Sequence, residues 1–132
     1  MPNQKPTVLI IDDTPMIVSA ISRMLLPLYN VKVAKNGTQG IELAEKYLID
    51  LILLDVNMPG LSGFDVIDRL KAAGKTRAIP VIFITGSDEI EDEAHGFALG
   101  AVDYIKKPFV EANVLHRVGL HILRKDETGR LG

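Results

Sequence analysis

Residues able to do chemistry stand immediately after short apolar runs. Asp12-Asp13 follow Val8-Leu9-Ile10-Ile11, Asp55 follows Leu51-Ile52-Leu53-Leu54, Thr85-Gly86 follow Val81-Ile82-Phe83-Ile84, and Lys106-Lys107-Pro108 close a weaker stretch from Asp103 to Ile105. If these runs are parallel strands, their carboxyl ends share one rim, where open α/β sheets collect ligands. Three carboxylates, a hydroxyl and an ammonium then meet there. Carboxylates held together repel and raise one another's pKa, an arrangement that a fold keeps only around a cation. Oxygen ligands without His or Cys suit a hard ion, and a few carboxylates completed by water and substrate oxygens suit Mg²⁺ better than a Ca²⁺ cage. A divalent ion beside a free carboxylate, a lysine and a hydroxyl is equipment for moving a phosphoryl group. The cation and Lys neutralise charge on the equatorial oxygens, the hydroxyl donates to one of them, and the carboxylate attacks in line. The product would be an aspartyl phosphate.

Taken singly, each residue has a plainer reading. Asp12 or Asp13 could cap a helix, Asp55 could sit in an ordinary loop, Thr85 could bond its own backbone, and Lys107 could be solvated. Their coincidence at successive strand ends favours the chemical reading.

The elements that must position these residues are legible in the pattern. The three apolar runs show no polar alternation, as expected for central strands of a parallel sheet covered on both faces. Val31 to Ala34 and Asp103 to Ile105 are shorter and more polar, which fits a second strand and an edge. Helical spacing lies between them, at Ile17, Ala20, Ile21, Met24 and Leu25; at Gly40, Ile41, Ala44 and Leu48; at Val66, Ile67 and Leu70; and at Val114, Val118 and Ile122. Thr14 before Pro15 and Ser62 are expected N-caps, Ser87 with Asp88 and Glu89 should open the fourth helix, and Gly74 and Gly100 should mark helix ends. The sum is an α/β fold, (βα)5, with one doubly wound five-stranded parallel sheet, helices on both faces and right-handed crossovers.

The 132 residues suit one domain, expected over 1–124, with 125–132 a polar tail or the start of a linker. No apolar run reaches the roughly 18 residues of a membrane span, no signal-peptide pattern opens the chain, and without Cys there is no disulfide or thiolate site. A cytoplasmic protein with no membrane partner is expected. A net charge of −2 argues against direct nucleic-acid binding.

Asp12-Asp13, Asp55-Val56-Asn57-Met58-Pro59-Gly60 with Gly63, Thr85-Gly86 and Tyr104-Ile105-Lys106-Lys107-Pro108-Phe109 resemble the motifs of the receiver domain of two-component response regulators, the CheY-like superfamily. The resemblance runs from Val8 to about Arg124 with the motifs in order. It implies the flavodoxin-like strand order 2-1-3-4-5 and Asp55 as phosphoacceptor. Mg²⁺ would be held by Asp13 directly, by Asp12 mainly through water, by Asp55, and by the backbone carbonyl of Asn57. Thr85 and Lys107 would meet the phosphoryl oxygens, with Lys106 a neighbour of uncertain role. The Lys107-Pro108 bond would be cis, as in the family, against a base rate near 5–6% for X-Pro bonds. Thr85 and Tyr104 would form the switch, the hydroxyl moving toward the phosphoryl group and the ring turning inward; the plain alternative for Tyr104 is a half-buried edge aromatic. The responding face would be the fourth helix, last strand and fifth helix, which also admits a homodimer. The implied partners are a sensor histidine kinase or phosphotransfer protein, and an output domain or downstream protein. The chain would be a signalling phosphoacceptor rather than an enzyme, catalysing only its own phosphoryl uptake and slow loss.

Competing readings are weaker. A dehalogenase-type phosphatase needs a second Asp two residues beyond the nucleophile, where Asn57 stands without a proton to give. A flavodoxin-like cofactor binder wants a Gly, Ser and Thr phosphate loop where Asp12-Asp13 would repel. A receiver-like interaction module without phosphorylation is the more serious rival; the presence of every motif residue weighs against it, and weak Mg²⁺ binding without phosphoryl uptake would favour it. His95, His116 and His121 read as surface or packing residues, and the acidic stretch Asp88 to Glu93 as a solvated helix start that is also a candidate contact. Asn57 and Ser87 occupy positions that tune phosphoryl lifetime in the family. A free-standing regulator and a receiver cut from a larger protein fit equally.

Overall fold

The computed structural model describes residues 5–86 and 90–131. The elements alternate: β1 (Thr7–Ile11), α1 (Pro15–Leu25), β2 (Asn30–Ala34), α2 (Gly37–Lys46), β3 (Leu51–Asp55), α3 (Gly63–Ala72), β4 (Val81–Thr85), α4 (Ile90–Leu99), β5 (Asp103–Lys106) and α5 (Glu111–Leu131). All strand pairs are parallel, in the order β2-β1-β3-β4-β5. The two polar stretches are therefore the two edges. The three unalternating runs are the centre, where every residue of β3 and β4 is buried.

Side-chain alternation along each strand divides the core in two. Leu9, Ile11, Ile52, Leu54, Val81 and Phe83 face one side, where Ala44 of α2, Val66, Ile67 and Leu70 of α3 and Leu99 of α4 cover them. Val8, Ile10, Leu51, Leu53, Ile82, Ile84 and Ile105 face the other, covered by Ile21 and Leu25 of α1 and Val114, Val118 and Ile122 of α5. At about 1.5–3 kcal/mol for each fully buried aliphatic side chain, these two layers supply the drive that holds the loops at the strand ends.

Helix boundaries differ from the sequence reading in instructive places. Ser62 caps α3 through a capping box, accepting from the Asp65 amide at 3.2 Å while Asp65 Oδ2 accepts from the Ser62 amide at 3.0 Å. Thr14 occupies the N-cap of α1, but its side chain makes no capping bond. Its amide instead donates to Asp12 Oδ1 at 2.8 Å, an Asx-type turn that fixes the chain's exit from β1. Leu48 does not belong to the buried stripe of α2: the backbone turns extended at Tyr47, and Leu48 is left 88% exposed. Gly100 ends α4 with φ +117°, whereas α3 ends through an extended Ala73 and Gly74 needs no positive φ. Ser87, Asp88 and Glu89 lie outside the described residues. Helix α5 continues through the polar segment to Leu131, and no described helix is long and apolar enough to cross a membrane.

Candidate functional site

Three of the loops at the carboxyl rim are pinned to a neighbouring strand. The Asp12 amide donates to Ala34 O at 3.1 Å, the Val56 amide to Ile84 O at 3.3 Å, and the Lys107 amide to Thr85 O at 2.8 Å. Beneath the β3–α3 loop, the Gly63 amide donates to Val56 O at 2.8 Å. A Cβ on Gly63 would collide with the Asp55 carbonyl oxygen and lie 2.8 Å from Val56 Cα. Glycine is thus required where α3 starts against the end of β3.

These constraints bring Asp12, Asp13 and Asp55 together, each offering a carboxylate oxygen within 4.8 Å of the others. Asp12 and Asp55 are buried, and Asp13 is exposed. The Lys107 ammonium stands 3.6 Å from Asp55 Oδ1 and 4.0 Å from Asp12 Oδ2. The Asn57 amide donates to Asp55 Oδ1 at 3.3 Å, and Thr85, buried at the end of β4, lies opposite Lys106 in register. The Lys107-Pro108 bond is cis. Asp12, Asp13, Asp55 and Lys107 therefore share one cleft, and Thr85 ends the strand beside it.

Its electrostatics are unbalanced. Burial, and next the adjoining Asp12 carboxylate, push Asp55 up to about 6 against the pull of Lys107 and the Asn57 amide. Burial likewise raises Asp12, although the Thr14 amide and Lys107 oppose it. Asp12 Oδ2 is buried with no hydrogen-bond partner, because Lys107 at 4.0 Å is beyond bonding reach. A buried carboxylate oxygen left without a partner costs free energy. A divalent cation with its bound water would meet that deficit, and the all-oxygen donor set fits Mg²⁺.

Tyr104 is buried rather than a half-exposed edge aromatic. Its ring packs 5.4 Å from Phe83 and 5.2 Å from Phe97, and its hydroxyl donates to the Asp92 carbonyl of α4 at 2.8 Å. Burial, then the charges of Glu93 and Asp92, push its phenol up to about 12. Lys106 pairs with Glu93 of α4 at 3.5 Å.

Sequence reasoning missed a cluster on α5. Asp103 Oδ1 accepts from Arg117 Nη1 at 2.5 Å, and its Oδ2 lies 3.0 Å from His121 Nε2. Burial works to raise the Asp103 carboxyl, but hydrogen bonds from Arg117, His121 and the Tyr104 amide outweigh it and hold the group below its ordinary range. His121 is buried there, while His95 and His116 are exposed. The partners lie 14 and 18 positions apart on different elements, so no local pattern announces them.

Comparison with known proteins agrees with this geometry. A probable cyclic di-GMP phosphodiesterase of Vibrio cholerae is 44% identical over 119 residues, which cover 90% of this chain and 27% of that protein. Protein PilH of Pseudomonas aeruginosa is 38% identical over 112 residues, covering 84% of this chain and 93% of PilH. The chain thus spans about a quarter of one relative and nearly all of the other. The solved receiver domain of the sensor histidine kinase PA1611 of Pseudomonas aeruginosa, with a magnesium ion coordinated in its active-site cleft, superposes with a TM-score of 0.83 at 28% identity, covering 89% of this chain and 98% of that one. A family model, the response regulator receiver domain, matches residues 8–119. With the parallel order β2-β1-β3-β4-β5 beneath an acidic rim, the chain belongs to the receiver-domain family of two-component response regulators.

Proposed function

We propose that this chain accepts a phosphoryl group on Asp55 from a partner sensor histidine kinase or phosphotransfer protein in a Mg²⁺-dependent reaction, and that the phosphorylated state alters the α4-β5-α5 face read by an output domain or downstream protein. The observation that carries this reading is the buried carboxylate group, with an unpartnered Asp12 Oδ2 and the Lys107 ammonium facing Asp55.

An Asp55 carboxylate oxygen attacks phosphorus in line, the P–N bond to the donor imidazole breaks, and its electron pair returns to nitrogen. The attacking oxygen is ionised at neutral pH even with Asp55 pushed up to about 6. Lys107, 3.6 Å from Asp55 Oδ1, is placed to pair with the phosphoryl oxygens, and the Thr85 hydroxyl donates to another. Asp13, Asp55 and the Asn57 carbonyl would hold Mg²⁺, with Asp12 acting at one remove. When bound, the ion supplies charge neutralisation for the transferring group. Outside its own phosphoryl chemistry the chain acts as a signalling module in the cytoplasm.

The test is intact mass after incubation with a small-molecule phosphodonor and Mg²⁺. One phosphoryl adduct is expected on the wild type and none on Asp55→Asn or in the presence of a chelator. An adduct surviving in Asp55→Asn would refute the assignment, and no adduct in either protein would favour an interaction module that keeps the fold without the chemistry.

A further inference from the structure

We infer that Gly96 of α4 is the positioning residue that admits the Tyr104 ring beneath that helix, so that the absence of a side chain at this one position decides whether the ring can lie inward. For its consequence this rests on the reading of Tyr104 as a switch; the steric claim is independent of phosphorylation.

Glycine inside a helix is disfavoured relative to alanine, so its presence in the middle of α4 asks for a compensating reason. The backbone gives none, since Gly60 and Gly100 are the positive-φ glycines among the described residues. The reason is on the facing strand. A Cβ at Gly96 would collide with the Tyr104 hydroxyl and lie 2.9 Å from Tyr104 Cζ and 3.0 Å from Phe83 Cε2. These atoms cannot retreat easily. Phe83 is fully buried, the Tyr104 ring is held between Phe83 and Phe97 at 5.4 and 5.2 Å, and both are stiff aromatics. The hydroxyl also donates at 2.8 Å to the carbonyl of Asp92, the residue four before Gly96 and hence the helical acceptor of the Gly96 amide. That carbonyl can take both donors because it has two lone pairs, but only if the phenol approaches the helix backbone closely. Gly96 provides that approach. An alanine there would leave either a displaced ring or a displaced α4, and in both cases the contact between β5 and α4 is remade.

The experiment uses the full chain without a phosphoryl donor, so its failure and the failure of phosphoryl uptake are separate results. In Gly96→Ala, nuclear Overhauser contacts of the Tyr104 ring are expected to be lost, to Phe83 if the ring moves or to Phe97 if α4 moves, while those between Phe64 and Phe83 remain. Persistence of the Tyr104 contacts to both Phe83 and Phe97 would overturn the inference. A thermal-unfolding cycle supplies the second arm. Gly96→Ala should lower the melting temperature when Tyr104 is present and raise it in a Tyr104→Ala background, where only the helix preference for alanine is left. If Gly96→Ala alone does not fold, recovery of folding in the Tyr104→Ala background supports the gate. Absence of recovery, or equal destabilisation in both backgrounds, would place the obstruction at Phe83 and overturn the role given to Tyr104.

Discussion

Asp55→Asn should make the metal-free protein more stable at neutral pH, although it removes the proposed site of chemistry. Asp55 is almost wholly buried and is pushed from an ordinary 3.8 to about 6. An acid whose pKa is higher in the folded than in the unfolded chain binds a proton more tightly when folded. Its cost to stability is therefore absent below pH 3.8, grows between about 4 and 6, and is fully present above. Two pKa units at roughly 1.4 kcal/mol each give a penalty of about 3 kcal/mol at pH 7.5, an order-of-magnitude figure. Asn has nearly the same shape and can still accept the Asn57 amide now bound at 3.3 Å, so little packing is lost in return. The substitution also forfeits the attraction of Lys107, but that attraction already opposes the upward shift. Urea unfolding of both proteins at pH 4 and pH 7.5, in chelator, reads the effect as a gain of about 1–3 kcal/mol at the higher pH that shrinks toward zero at the lower one. Added Mg²⁺ should narrow the gap, because a ligand of the folded wild type stabilises it by mass action. A variant no more stable than wild type at pH 7.5 would refute the claim that burial and the adjoining Asp12 carboxylate penalise the ionised Asp55.

Three further substitutions separate the parts of the site and its surroundings. Asp13→Ala should abolish the heat of Mg²⁺ binding in calorimetric titration while leaving the fold intact, since Asp13 is exposed. Lys107→Ala should leave Mg²⁺ affinity largely unchanged but impair activation after phosphoryl uptake; loss of the metal site would contradict the role assigned to its ammonium. Asp103→Asn should cost about 1–3 kcal/mol at pH 7 by leaving Arg117 and His121 without their carboxylate. Because the folded Asp103 titrates below the ordinary value, the stability it contributes is present above about 3.9 and lost as pH falls through the lower folded pKa. The difference between variant and wild type should therefore vanish at strongly acid pH, and a constant difference would mean that charge is not the cause.

How much of this was legible in the chain depended on whether the signal was local. Unalternating runs such as Leu51-Ile52-Leu53-Leu54 can be buried on both faces only in a covered parallel sheet, and β3 is so buried. The rim residues were found because one rule, ligands beyond the carboxyl ends of parallel strands, converts a sequence position into a place. Ser62 with Asp65 was half visible, since a cap and its reciprocal partner lie three residues apart. Leu48 was misplaced because helical spacing continued past the point where the backbone left the helix at Tyr47. What escaped was set by which of several available partners each group takes in the folded chain, whether two residues away or on another element. Asp12 claimed the Thr14 amide and left the threonine hydroxyl without its capping role, Asp103 drew in Arg117 and His121, and Lys71 folded back to donate to the Arg77 and Ile79 carbonyls at 3.0 and 2.8 Å. Such pairings follow from the packing of elements, which a one-dimensional pattern does not contain.

The alternation of β5 ties the cleft to both helices of the proposed output face. Successive strand residues point to opposite sides. Asp103 and Ile105 share the α5 side: Asp103 meets Arg117 and His121, and Ile105 packs in the layer with Val114 and Val118. Tyr104 and Lys106 share the α4 side, where the Tyr104 hydroxyl meets the Asp92 carbonyl and Lys106 pairs with Glu93. Lys107 follows directly, its amide on Thr85 O and its ammonium toward Asp55. In the proposed function, a phosphoryl group on Asp55 draws on Lys107 and Thr85, the two points at which β5 and β4 reach the cleft. A shift of Lys107 by even a fraction of an ångström is then a shift at the end of a strand whose alternate side chains grip α4 and α5 separately. Packed layers do not deform continuously, so such a shift favours one arrangement of those contacts over another. Substitutions at Asp103 and at Tyr104 should for this reason disturb the two helices independently, with Asp103→Asn loosening α5 and leaving the Tyr104 ring under α4. Amide hydrogen exchange resolved by helix would reveal it, and equal loss of protection in α4 and α5 would show that β5 moves them as one body.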